Sequence, residues 1–220
     1  EEKDNNLVVS PDRGEVATTI AQLTNYNTPI TVIAQNQQHA RALRKQVNRM
    51  KAKSIRIIVN GFYEFIKQHH DITYTSAYIE LPNSRTAIMP TLNSNLTIKR
   101  LRRLVKRQKN ILTYTFRCLH PNASITYVNH SLDPLENEIN YRDIVTKTYY
   151  ETQSFPNSIR KLKVSEFSTI RELKTDILND IKFHLKVGTL FIDPLKVQNS
   201  GGFIAKFKYT PQRDKKPKLY

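Results

Sequence analysis

The sequence holds one cysteine, Cys118, so a single chain can form neither an internal disulfide nor a cysteine-based zinc site. A reducing compartment suits such a chain. It has no run near the roughly 18 consecutive apolar residues that mark a membrane span, and no charged-then-apolar leader opens it. Glycine numbers only five, with no glycine-rich phosphate loop and no GKS or GKT element, which argues against an autonomous P-loop nucleotide hydrolase. No His-hydrophobic-His element accompanies the paired Tyr149-Tyr150, as strand-nicking chemistry would need, and His69-His70-Asp71 matches no zinc spacing. Neither a catalytic constellation, a metal site nor a cofactor is predicted. Internal repeats and low-complexity runs are also missing.

Negative charge is the scarcest commodity in the first half. Between Leu81 and Leu132 there is no Asp or Glu at all. From Val16 to Leu132 the chain carries seventeen Lys or Arg against Glu64, Asp71 and Glu80, which is +14 of the formal net charge of +16. A one-sided positive field attracts nucleic-acid phosphates, an anionic membrane surface or an acidic protein partner.

What is present makes a packed body. Hydrophobic residues are 39% and charged residues 25% of 220, too apolar for intrinsic disorder. The first ten residues are polar and expected to fray, with Ser10-Pro11-Asp12 opening a helix that runs to Leu23. Ile30-Thr-Val-Ile33 reads as a short strand, and Asn36 as the cap of a helix from Gln37 to Lys53. Ala40, Leu43, Val47 and Met50 share one face of it, and Arg41, Arg44, Lys45, Arg49, Lys51 and Lys53 occupy the rest. Ile55 to Val59 fits strand or helix. Ile72–Ile79 and Arg85–Met89 flank turn residues and predict a hairpin.

From Ile98 to Lys109 a second basic helix is expected. Ile98, Leu101, Leu104 and Val105 form its apolar arc, and Lys99, Arg100, Arg102, Arg103, Lys106, Arg107 and Lys109 the opposite one. Ile111–Leu119 and Ile125–Val128 predict a second hairpin, and Thr189–Val197 with Phe203–Tyr209 a third; between them Ser168 or Thr169 starts an amphipathic helix through Leu185. The expected fold is therefore α+β, antiparallel hairpins interleaved with amphipathic helices. Acid-rich Asp133–Asp143 suggests a boundary, dividing a basic region 1–132 from a region 133–210 and a basic tail 211–220.

These features predict a non-enzymatic nucleic-acid-binding protein, for DNA or RNA, with little sequence specificity. Lys99 to Lys109 would be the main phosphate-contacting element, with Arg41 to Arg56 and the basic tail as auxiliaries. Tyr74, Tyr78, Tyr114, Phe116 and Tyr127 would either pack in a sheet or stack on bases. Two alternatives stand beside this reading: a structural or assembly protein of a virion or ribonucleoprotein, and a metal-dependent nuclease or strand transferase using the His70 and Asp71 region or Tyr149. The richness in Asn, Ile, Lys and Tyr suggests an A/T-rich genome, such as many phages, viruses and low-GC bacteria have. The expected location is intracellular, in cytoplasm, nucleoid or nucleus, or within a virion.

Overall fold

The computed structural model describes residues 5–62, 64–65, 73–88, 96–137, 139–140, 150–152, 189–192 and 200–209. The strands are β1 (Asn6–Val9), β2 (Ile30–Ala34), β3 (Ile55–Val59), β4 (Tyr74–Glu80), β5 (Leu119–Asn129), β6 (Tyr150–Thr152), β7 (Thr189–Ile192) and β8 (Gly202–Tyr209). The helices are α1 (Glu15–Leu23), α2 (Gln37–Arg49) and α3 (Ile98–Thr115). In hydrogen-bonded order the sheet runs β3-β2-β1-β4-β5-β8-β6, with β7 on β8. β1 is parallel to both β2 and β4, and β2 is parallel to β3. β8 pairs antiparallel with β6 and with β7. The expected α+β arrangement of antiparallel hairpins is thus replaced by a mostly parallel, doubly wound sheet.

The hydrophobic pattern explains how this was hidden. A strand central in a parallel sheet is covered on both faces and reads as a short apolar run rather than an alternation. All five residues of β2 are buried, and Leu7 and Val8 of β1, in the segment expected to fray, are wholly buried. Tyr74–Glu80 is one such parallel strand, whereas residues 85–88 form a turn, so the first predicted hairpin does not exist. The second fails as well. Residues 111–115 continue α3, because Leu101, Gln108, Ile111, Leu112 and Thr115 keep the helical period and are buried. His120-Pro121-Asn122-Ala123, which joins the two halves of that predicted hairpin, lies inside the single strand β5, where Asn122 takes φ 72°. The third pair, β7 with β8, is antiparallel as expected. The amphipathic helix of 168–185 and the tail of 211–220 lie outside the described residues.

The chain divides into two compact units, Glu1–Leu81 with Ile111–Ile125, and Pro82–Asn110 with Thr126–Tyr220. In the first, Val8, Ile30, Val32 and Ala34 turn one sheet face toward Ala17 and Ala21 of α1 and Ala40 and Leu43 of α2. Small alanines on both helices allow a close approach to the strands. The Asn36 side chain caps α2 by accepting from the His39 N–H at 2.8 Å. α2 stops at Arg49, short of Lys53, since Lys51 turns left-handed at φ 52°. In the second unit Phe203 meets Tyr127 edge to face at 6.5 Å.

Candidate active site

In a doubly wound sheet, ligands bind outside the carboxyl ends of the strands where the strand order reverses. Here that point lies between β1 and β4, inside the first unit. The register pairs Val8 with Tyr78 and Val9 with Ile79. The next residues out are Ser10 and Glu80, and the Ser10 hydroxyl donates to Glu80 Oε2 at 3.0 Å. Tyr78 OH also points at Glu80 Oε2, 3.4 Å away. The Tyr78 phenol is pushed up in pKa, first by burial and then by the negative charges of Glu80 and Asp12.

The turn from β1 to α1 completes the wall. Gly14, left-handed at φ 109°, precedes the helix. Asp12 Oδ2 accepts from the Val16 N–H at 2.7 Å, whereas Asp12 Oδ1 is buried with no hydrogen-bond partner. The His39 ring ties this turn to the end of β2. Its Nε2 lies 2.6 Å from the Asp12 carbonyl, and its Nδ1 lies 3.2 Å from the Gln35 N–H. A neutral ring protonated on Nε2 serves both contacts.

Charge on this unit is segregated. Among its described residues the only carboxylates are Asp12, Glu15, Glu64 and Glu80. Asp12 and Glu15 follow β1, Glu80 ends β4, and Glu64 follows β3 with its carboxylate folded over Gly61. All four therefore stand at the carboxyl edge of the parallel strands, with Arg13 the one base in the β1 turn. Lys51 and Lys53 precede β3 at the other edge, and Arg41, Arg44, Lys45 and Arg49 are exposed on α2.

The second unit carries a buried polar network. Glu136 is fully buried and accepts from the Ser84 N–H at 3.0 Å, Gln108 Nε2 at 2.8 Å and Ser131 Oγ at 2.6 Å. Its own carbonyl accepts from Tyr127 OH and Asn129 Nδ2, each at 3.1 Å. The segment after β4 is thereby laced to the segment after β5. Glu136 was expected in a boundary loop, and no sequence signal distinguishes a carboxylate that such a network buries.

Of the residues predicted to bind nucleic acid, Lys99, Arg100, Arg102, Arg103, Lys106 and Arg107 are exposed on α3, and Lys109 is half-buried. Within the second unit, Arg102, Lys106 and Lys109 line a groove of about 400 Å³ with Val105, Asn110 and Leu135. Tyr74, Phe116 and Tyr127 are buried in packing and cannot stack on bases. Tyr114 is half-buried, with the Arg117 guanidinium 5.0 Å above its ring. His69, His70, Asp71 and Tyr149 lie outside the described residues. Among the described residues no cluster of His, Cys, Asp or Glu could hold a metal ion, and no helix is long and apolar enough to cross a membrane.

No protein-family model matches the sequence, and no curated protein matches it. The fold, however, is shared with solved structures. NSun6 from Pyrococcus horikoshii, determined with SFG, superposes at a TM-score of 0.77 with 16% identity, over 95% of this chain and 48% of that one. A methyltransferase homologue from Pyrococcus horikoshii gives 0.74 with 16% identity, over 94% and 61%. The O-methyltransferase from Bacillus cereus, in complex with SAH, gives 0.54 with 10% identity, over 93% and 73%. The strand order is that of a Rossmann-like sheet, a fold this chain shares with these structures.

This chain spans about half the length of the NSun6 chain that it matches. The shared sheet overturns the expectation of a non-enzymatic binder, and with it those of a virion or assembly protein and of a nuclease or strand transferase. Nothing in these neighbours supports a viral or phage protein. Composition and charge describe a surface, whereas the strand order describes what the surface encloses.

Proposed function

We propose that this chain is the cofactor-binding part of a methyltransferase that acts on nucleic acid, RNA in particular. The observation that carries this reading is the gathering of all four described carboxylates of the first unit at the carboxyl edge of β1, β3 and β4. On a unit otherwise so basic, such an edge suits a ligand with positive charge.

S-adenosylmethionine, which the fold implies, supplies an electrophilic methyl group on a sulfonium when bound. The donor set fits it. Glu80 and Asp12 provide carboxylates for its cationic groups, and the buried, unpartnered Asp12 Oδ1 is an acceptor in need of a donor. Gly14 supplies the left-handed turn between β1 and α1 and lets Gln46 and Leu43 of α2 pack against it. At the end of β2, where dinucleotide sites place an acid for the ribose hydroxyls, this chain has Gln35, an amide that can still pair with a diol. Glu80 is oriented by Ser10, and the His39 ring holds the β1 turn against β2. The nucleic-acid substrate is argued from charge: +14 between Val16 and Leu132, and exposed bases along α2 and α3.

The test is calorimetric titration of the whole chain with S-adenosylhomocysteine, followed by transfer of labelled methyl groups to mixed cellular RNA. Micromolar binding that weakens about tenfold or more in Glu80→Gln is expected, since the carboxylate would hold a charged group. No binding at millimolar ligand would overturn the reading.

A further inference from the structure

The structure assigns single-stranded RNA to the groove beside α3, an inference that takes its ligand class from the function proposed above. The seven bases of α3 are not equivalent. Arg102, Lys106 and Lys109 line the groove, at i, i+4 and i+7, and so form one row along the helix. That row spans about 10 Å of helix axis. Arg103 and Arg107 are exposed on another face of the helix and do not line it.

The rest of the lining is what a phosphate chain alone would not need. Val105 and Leu135 supply apolar surface, and Leu135 keeps 39% of its surface exposed although it is a large hydrophobic residue. Asn110 contributes an amide able both to donate and to accept. The Leu135 turn is a built feature, held by its N–H on Asp133 Oδ1 at 2.8 Å and by the Asp133 N–H on Ser131 Oγ at 3.0 Å. Of the two acids that flank Leu135, Glu136 is fully buried in its own hydrogen-bond network and Asp133 has one carboxylate oxygen engaged with the backbone.

Cations in a row beside an apolar floor match a strand whose phosphates and base faces are both accessible. A duplex hides its base faces in the stack, so Val105 and Leu135 would have nothing to touch. A membrane surface would call for larger aromatic anchors than this face carries. The Asn110 amide offers a partner for a 2′-hydroxyl, which favours RNA over DNA.

The experiment is fluorescence anisotropy of a labelled twelve-nucleotide oligouridine with the whole chain at three salt concentrations. Duplex RNA and oligothymidine serve as competing probes. Arg102→Gln with Lys106→Gln should weaken RNA binding about tenfold or more and lower the log–log salt slope by one to two units. The same charge removed by Arg103→Gln with Arg107→Gln should cost at most about threefold. Leu135→Ala should weaken binding with the salt slope unchanged.

Equal losses in the two double variants would reduce the groove to general electrostatics and overturn the assignment, as would tighter binding of duplex or of oligothymidine. S-adenosylhomocysteine titrations run in parallel keep the two proposals apart. A groove that fails while the cofactor analogue binds leaves the first reading standing, and a groove that binds RNA without the analogue sinks only the first.

Discussion

Ser131 donates through its hydroxyl to the carboxylate of Glu136 at 2.6 Å, in a place where Glu136 has no exposure to water. With the Ser84 N–H and Gln108 Nε2, it makes this carboxylate the junction of two loops. Removing the acceptor strands several donors, each at about 1–3 kcal/mol. Glu136→Ala is therefore expected to destabilise the protein by about 3 kcal/mol or more, read by urea denaturation. If that variant does not fold, Glu136→Gln, which keeps one acceptor oxygen, should fold with a smaller loss. A wild-type-like midpoint for both would contradict the network.

Gln35 directly follows β2, where a carboxylate would serve ribose hydroxyls better. Hydrogen bonds to a charged acceptor contribute about 1 kcal/mol more than neutral ones. Gln35→Glu should tighten S-adenosylhomocysteine binding about fivefold, and Gln35→Ala should weaken it, both by calorimetry. Because Gln35 is exposed, thermal stability should hardly change. An unchanged affinity in both variants would place the ribose elsewhere.

Cys118 is buried in the 3-10 turn between α3 and β5, and burial pushes its thiol up to about 11. Two outcomes are expected. At pH 8 the native thiol should alkylate far more slowly than in urea. The thiol of the unfolded chain ionises near 8.5, so the contribution is complete below that pH and is lost as pH rises toward 11. Urea unfolding at pH 8 and 9.5 should show a steeper fall for wild type than for Cys118→Ala. Parallel pH profiles would refute it.

How much was legible in the sequence varies by element, and the pattern has a cause. β2 and α2 could be read because their signals are local, a β-branched run, an Asn cap at Asn36 and apolar residues three and four apart, whereas Ile55 to Val59, open between strand and helix in the sequence, is the strand β3. β1 was hidden, since Leu7-Val8-Val9 is too short to show a period and sits among polar residues. Residues 111–115 have strand propensity, but Ile111, Leu112 and Thr115 extend the buried face begun at Leu101, and packing outweighed propensity. Pro121 and Asn122 carried a turn signal that the strand absorbed as a local irregularity.

The candidate site was illegible for a different reason. Asp12 and Glu80 lie 68 positions apart, and each is unremarkable alone. The sequence by itself determined the positive field, the absence of a disulfide framework, the basic outer faces of α2 and α3 and the capped start of α2, all consequences of composition or of neighbours within a turn of helix. Tertiary structure decided the rest. Parallel pairing of β1 with β4 set Ser10 against Glu80, and the sheet gathered the few carboxylates of the first unit at one edge. A parallel register depends on which helices cover the sheet, and no local pattern encodes that.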